Sequence, residues 1–167
     1  ADRIAGTYTI TAPAEADLIY NGSAKAAIVT ATPKNGVTLP AAPAIQYQKK
    51  TGDPLESAPT DVGDYTASIT VDGKTATVDY TIQPKTIGSF TYGGNSLTYN
   101  GTEQTCPEIN VKDGSVTLKA GTDYTISGTT TGTNAGTYPL QIPFCGNYKR
   151  DDSKPVDIRW KIDPLTV

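Results

Sequence analysis

Residues 59–71 read PTDVGDYTASITV, and the second half of that stretch decides the fold. Tyr65, Ala67, Ile69 and Val71 fall on one side of an extended chain, while Thr66, Ser68, Thr70 and Asp72 fall on the other. Apolar residues at every second position, opposed by a wholly polar set, mark a β-strand with one face buried. A matching stretch, GTNAGTYPLQIPF at residues 132–144, puts Gly136 and Tyr138 where the first has Gly63 and Tyr65. Its inner face is Tyr138, Leu140, Ile142 and Phe144, which leaves Pro139, Gln141, Pro143 and Cys145 outside. Two prolines of the same parity remove amide donors along one lateral side, which predicts that this strand lies at a sheet edge.

Two further matches flank this pair. ADLIYNGSAKAA at residues 16–27 is echoed by NSLTYNGTEQTC at residues 95–106, an offset of 79. VDYTIQPKTI at residues 78–87 is echoed by IRWKIDPLTV at residues 158–167, an offset of 80. Three matches in one order define an internal repeat, with a first β unit at residues 1–84 and a second at residues 85–167. Gln83-Pro84-Lys85 leads from one unit into the next, and Asp163-Pro164-Leu165 stands at the equivalent place, so a further repeat is expected to follow. The closing strands alternate as well, with Val78, Tyr80 and Ile82 inside in one unit and Val156, Ile158, Trp160 and Ile162 inside in the other. No amphipathic segment of helical length interrupts these strands. The fold class is all-β: two tandem antiparallel β-sandwich or mostly-β grasp-like domains.

Composition excludes several functions. The 14 basic and 17 acidic residues are dispersed, with a net charge of −3 and no basic stripe, so nucleic acid is not a partner. No apolar run is long enough to insert directly into a membrane, and the N-terminus lacks the pattern of a signal peptide. Methionine is absent, so the stretch is expected to be part of a longer chain. Histidine is absent too, which removes Ser-His-Asp triads, histidine metal sites and the commonest general base. Asp151 and Asp152 sit among Lys149, Arg150 and Lys154, a mixture that reads as a solvated loop and not as a glycosidase pair. Asp61, Asp64, Asp72 and Asp79 match no calcium-loop spacing. A lysine isopeptide crosslink has no signature here that would place it. No residue is assigned to catalysis, to a cofactor or to a metal, and the chain is read as not an enzyme.

The Asn-Gly pairs at 21–22, 35–36 and 100–101 are hairpin-turn signals of the type I′ kind. Two of them also fit the glycosylation pattern, but their place in the repeat makes the turn the better reading. Trp160 shares its register with Val156, Ile158 and Ile162 and has Tyr80 as its counterpart, so it is read as core. Tyr20 and Tyr99, each before an Asn-Gly pair, are read as core as well, whereas Tyr92 and Tyr148 have no such explanation.

LIYNGSAK and LTYNGTEQT, DVGDYTASI and NAGTYPLQI, and the closures DYTIQPKTI and RWKIDPLTV resemble bacterial surface repeats of the MBG or YDG type, grouped with bacterial Ig-like domains. The resemblance implies an extracellular place, tandem arrays in secreted or wall-attached proteins, and a stalk or adhesin role without catalytic residues. CGNYKRDDSKPVD at residues 145–157 departs from the plainer hairpin such repeats carry. In an extracellular setting the two cysteines, Cys106 and Cys145, suggest a disulfide that would close a loop of about 40 residues and stabilise the second unit by about 4 kcal/mol. Ala27 and Asp72 stand at the equivalent positions of the first unit, so the fold does not need the bridge. The expected partners are neighbouring repeats of the same chain. The alternative is a module that binds host glycan or protein, through its tyrosines and the loops at residues 48–60 and 145–155.

Overall fold

The alternation around Tyr65 becomes one arm of a long hairpin. In the computed structural model, which describes residues 6–34, 42–93, 96–152 and 154–167, six strands belong to residues 6–82. They are β1 (Gly6–Thr11), β2 (Ile28–Pro33), β3 (Gln46–Lys49), β4 (Pro54–Leu55), β5 (Gly63–Val71) and β6 (Lys74–Ile82). β5 and β6 pair antiparallel from Gly63↔Ile82 to Val71↔Lys74, so the loop between them is Asp72-Gly73 alone. Both loop residues have positive φ, 51° and 76°, as a type I′ turn requires. The Asn-Gly pairs do not behave this way. At 21–22 and 100–101 only the glycine has positive φ, and the asparagine Oδ1 instead accepts the amide of the residue two further on, Ser23 at 3.0 Å and Thr102 at 2.9 Å. These are Asx turns in loops, not type I′ hairpins: the side chain closes the ring that a strand pair would otherwise close. The Asn35-Gly36 pair lies outside the described residues.

The first sheet runs β4-β3-β5-β6. Its inner face supplies Tyr65, Ala67, Ile69, Tyr80 and Ile82, which bury together with Ile10 and Ala27. Tyr8 and Val29 of the β1–β2 ribbon pack onto that cluster, giving two layers around one core.

The ten strands of residues 85–163 are shorter: β7 (Lys85–Thr86), β8 (Ser96–Thr98), β9 (Gln104–Thr105), β10 (Lys112–Asp113), β11 (Val116–Thr117), β12 (Ser127–Gly128), β13 (Thr131–Gly132), β14 (Gly136–Ile142), β15 (Tyr148–Lys149) and β16 (Val156–Asp163). The main sheet is β12-β14-β16-β8, and β9/β13, β10/β11 and β7/β15 form ribbons. Buried side chains include Ile87, Val111, Leu118, Tyr124, Leu140, Ile142, Trp160 and Ile162. By its contacts the chain divides into two compact units, Ala1–Pro84 and Lys85–Val167.

The prolines of β14 do not put it at an edge. It lies between β12 and β16, with a seven-pair ladder on the β16 side. On the other side the carbonyls of Pro139 and Pro143 still accept the amides of Thr129 (3.0 Å) and Thr125 (3.1 Å), while β12 itself pairs through only two residues. Proline removes a donor and leaves the acceptor, so its effect is to shorten the neighbouring strand.

The two units also share something that alternation does not reveal. Each folds its Tyr-Asn-Gly segment back, parallel to its own last strand. In the first, Tyr20 donates its amide to Gln83 O (2.9 Å) and Gln83 donates to Leu18 O (2.8 Å). In the second, β8 pairs parallel with Lys161–Asp163 of β16, and Tyr99 donates to Asp163 O (2.8 Å). The sheets are thus antiparallel hairpins completed by one parallel strand.

Candidate functional site

The residues that repeat are occupied in holding the fold. Tyr65 and Tyr138 lie opposite Tyr80 and Trp160 on their hairpins. Each donates its hydroxyl to a carbonyl four residues upstream, Tyr65 to Asp61 O at 2.8 Å and Tyr138 to Asn134 O at 2.5 Å. Their hairpin partners bond to more distant backbone of their own unit. The Tyr80 hydroxyl donates to Lys25 O (2.7 Å), and Trp160 Nε1 donates to Thr129 O (2.6 Å). Trp160 is fully buried and stacks on Tyr138 with ring centroids 4.7 Å apart. Burying a ring of that size contributes roughly 4–6 kcal/mol at ~25 cal/mol per Å². Trp160 is therefore core, as its register implied. Burial raises the phenol pKa of Tyr65, Tyr80 and Tyr124 above the usual tyrosine value, so these hydroxyls stay protonated donors.

The remaining aromatics divide differently from the sequence expectation. Tyr148 is buried, so it is no surface contact. Tyr20 is half-buried against the first core, but Tyr99 is 36 % exposed and Tyr92 is 39 % exposed. Tyr92 rests on Phe90 (6.0 Å between centroids), and Phe90 meets Phe144 edge to face (5.6 Å). This trio is an aromatic cluster with one ring at the surface.

Cys106 and Cys145 are free thiols in the structure, which does not carry the expected disulfide. The Cys106 amide donates to Thr130 O and the Cys145 amide to Asp123 O. Those partners are seven residues apart along one run of chain, and an extended run of that length spans roughly 20 Å, against the ~7 Å limit between Cα atoms for a disulfide. Each sulfur instead faces a carbonyl, Pro107 O at 3.3 Å and Thr122 O at 3.4 Å. Burial raises the pKa of the Cys106 thiol.

The acidic candidates do not converge. Asp79 accepts from the Thr66 hydroxyl (2.7 Å) and pairs with Lys50 (3.3 Å), two contacts that lower its pKa below the usual carboxylate value. Asp64 accepts from Thr81 (2.5 Å). Asp72 occupies the β5–β6 turn, and Asp61 contributes its backbone carbonyl to Tyr65. Asp152 accepts the amide of Lys154 (3.0 Å), and both it and Asp151 are exposed. Among the described residues no three acids or cysteines are grouped as a metal would need. Two lysines meet side-chain amide or carboxylate oxygens without a covalent bond. The buried Lys25 donates to Asn21 Oδ1 at 2.9 Å, and Lys85 pairs with the half-buried Asp113.

Two open concavities lie beside the loop at residues 48–60. One of about 450 Å³ is lined by Lys49, Lys50, Thr51, Gly63, Asp64 and Tyr65. The other, of about 470 Å³, runs from Lys49 along residues 54–61. Among the described residues no helix is long and apolar enough to cross a membrane.

The MBG domain family matches residues 85–146, within the second unit. No curated protein and no solved structure matches the chain.

Proposed function

We propose that these MBG-type repeats are a structural spacer of a larger surface-exposed or secreted bacterial protein, holding other parts of that protein at a distance. The observation that carries this reading is the use made of the repeated residues. Tyr65 and Tyr138, Tyr80 and Trp160, and the segments before Asn21-Gly22 and Asn100-Gly101 all bond to backbone within their own unit. What recurs from repeat to repeat is framework, which is what an array needs when its product is length and stiffness. The absence of histidine and the non-catalytic character of MBG repeats support a role other than catalysis.

A second reading, adhesion to a host glycan or protein, is favoured by the Phe90–Tyr92–Phe144 cluster, because an exposed ring backed by two others is a suitable stacking platform. A glycan and protein binding screen on the folded 167-residue chain, run beside Tyr92→Ala, separates the two. The spacer reading expects no saturable binding. A hit that Tyr92→Ala abolishes would replace it with adhesion.

A further inference from the structure

The hairpin that closes each unit keeps the same register but not the same length. Ile69 lies opposite Ala76 in the first unit, and Ile142 opposite Val156 at the equivalent places in the second. The offset between repeats grows across this hairpin from 73 to 80, an insertion of seven residues in the stretch that departs from the plain repeat. The insertion is built into the second unit. It carries β15, which pairs parallel with β7, the first strand of that unit. Lys85 donates its amide to Asn147 O and Ile87 donates to Lys149 O, both at 2.8 Å. Tyr148 is buried there, Arg150 Nη1 reaches the carbonyls of Ile87 and Gly88 at 3.3 Å, and Lys85 is tied sideways to Asp113. The first unit has only Asp72-Gly73 at this place, and its first strand, β1, pairs antiparallel with β2 instead.

Strand direction decides how such pairings answer to tension. When the start of a unit and its end are pulled apart, a first strand parallel to a later one is dragged lengthwise past it. All the bonds between the two are then strained together. Strands pulled apart from one shared end open one bond at a time, at lower force. β8 on β16 gives the second unit one such sheared ladder, and Leu18–Tyr20 on Gln83 gives the first unit a shorter one. We propose that the insertion makes the second unit a tension clamp. By supplying β15 it adds a further parallel ladder at the point where force from the preceding chain reaches the unit, so the second unit outlasts the first under load. This inference rests on the spacer reading and gives it a mechanical task.

The test is single-molecule force spectroscopy on the full chain, held by its two ends. Two unfolding steps at distinct forces are expected. Lys149→Pro leaves the ladder without the amide at position 149, and Arg150→Ala removes the guanidinium from Ile87 and Gly88. Both variants should lower the higher step and leave the lower one in place. A second measurement does not depend on how the proline variant folds. In a Cys106→Ser/Cys145→Ser background, handles on Thr137→Cys and Lys161→Cys, which face each other on β14 and β16, pull the pair apart from one end. The second unit should then open at a force several-fold lower than in the end-to-end pull. Equal forces in the two directions, or a higher step untouched by both variants, would overturn the clamp. A binding hit in the screen above would overturn the spacer reading while leaving these forces unchanged.

Discussion

Gly132→Ala provides the sharpest check of how β13 packs on the Tyr138 ring in the second unit. A Cβ built at Gly132 would stand 2.4 Å from Tyr138 Cζ and 2.7 Å from its hydroxyl oxygen, well inside contact distance. A ring can normally swing aside, but this one is confined. Trp160, with no exposed surface, is stacked on it at 4.7 Å, and its hydroxyl is bonded to Asn134 O. Moving the ring by about 1 Å forfeits part of the stacking, worth roughly 0.5–1.5 kcal/mol, and the hydrogen bond, worth about 1 kcal/mol. Overpacking strain of about 1–3 kcal/mol spans the same events and is not additional to them. Against this, alanine restricts the unfolded chain and returns ~0.4–1 kcal/mol, since Gly132 is not among the positive-φ glycines. The net is a loss of about 1 kcal/mol.

Trp160 is the only tryptophan, so its fluorescence in a urea titration follows the second unit alone. With a slope of about 1 kcal/mol per M for a domain of this size, the midpoint should fall by about 1 M. The sign is decisive. Were the Tyr138 ring free to move, the backbone effect alone would remain and the variant would be the more stable protein. A midpoint at or above that of the parent therefore refutes the packing described here.

Tyr65→Phe and Tyr138→Phe each delete one hydroxyl-to-carbonyl bond and should each cost about 1 kcal/mol, Tyr138→Phe by Trp160 fluorescence and Tyr65→Phe by circular dichroism; a neutral result at both would mean the shared corner does not stabilise the fold. The raised phenol pKa values of Tyr65, Tyr80 and Tyr124 fix a sign for alkaline stability. Their contribution is whole below the unfolded tyrosine value of about 10 and is lost as pH climbs from there towards the folded values, so urea midpoints should hold up to about pH 9 and drop from about pH 10 upwards. A flat profile would contradict the burial of these hydroxyls. Thiol titration of the native protein should find two reactive groups, fast at the exposed Cys145 and slow at Cys106, whose burial disfavours the thiolate; a protein with no titratable thiol would restore the disulfide.

The hairpins were legible because alternation is a one-dimensional signal with a direct structural cause. The Tyr65–Val71 and Trp160 registers carry straight from sequence to buried face. The parallel return of Leu18–Tyr20 and Ser96–Thr98 onto the last strands was not legible, since pairing direction between distant segments leaves no mark on either segment. The repeated Tyr-Asn-Gly did point to those places, though as turn signals and not as strand partners. Asn-Gly misled for a specific reason: a type I′ turn needs positive φ at both residues, and here the asparagine side chain satisfies the loop with only the glycine inverted. The cysteine pair could not be placed because an even count says nothing about distance, and only pairing with Thr130 and Asp123 sets the two thiols apart in the structure. For the candidate site, absences of residue types were readable, while the exposure of Tyr92 and the burial of Tyr148 depended on the fold around the insertion.

That insertion also ties sequence divergence to mechanics. Seven extra residues in a solvent loop would ordinarily add entropy and little else. Here the hairpin ladder on either side keeps its register, from Gly63↔Ile82 to Ile69↔Ala76 in one unit and from Gly136↔Ile162 to Ile142↔Val156 in the other, so the extra length must leave the sheet as a loop. Tyr148 supplies the apolar anchor that fixes this loop, and Lys149 O and Arg150 supply the polar contacts to Ile87 and Gly88, just past β7. A loop given both kinds of contact has become part of the core, and the strand it captures is the one through which the second unit is joined to the first. Divergence placed at that strand changes how a unit is held in its chain while leaving its main hairpin untouched. Repeats in one array can therefore share a fold and still differ in resistance to force.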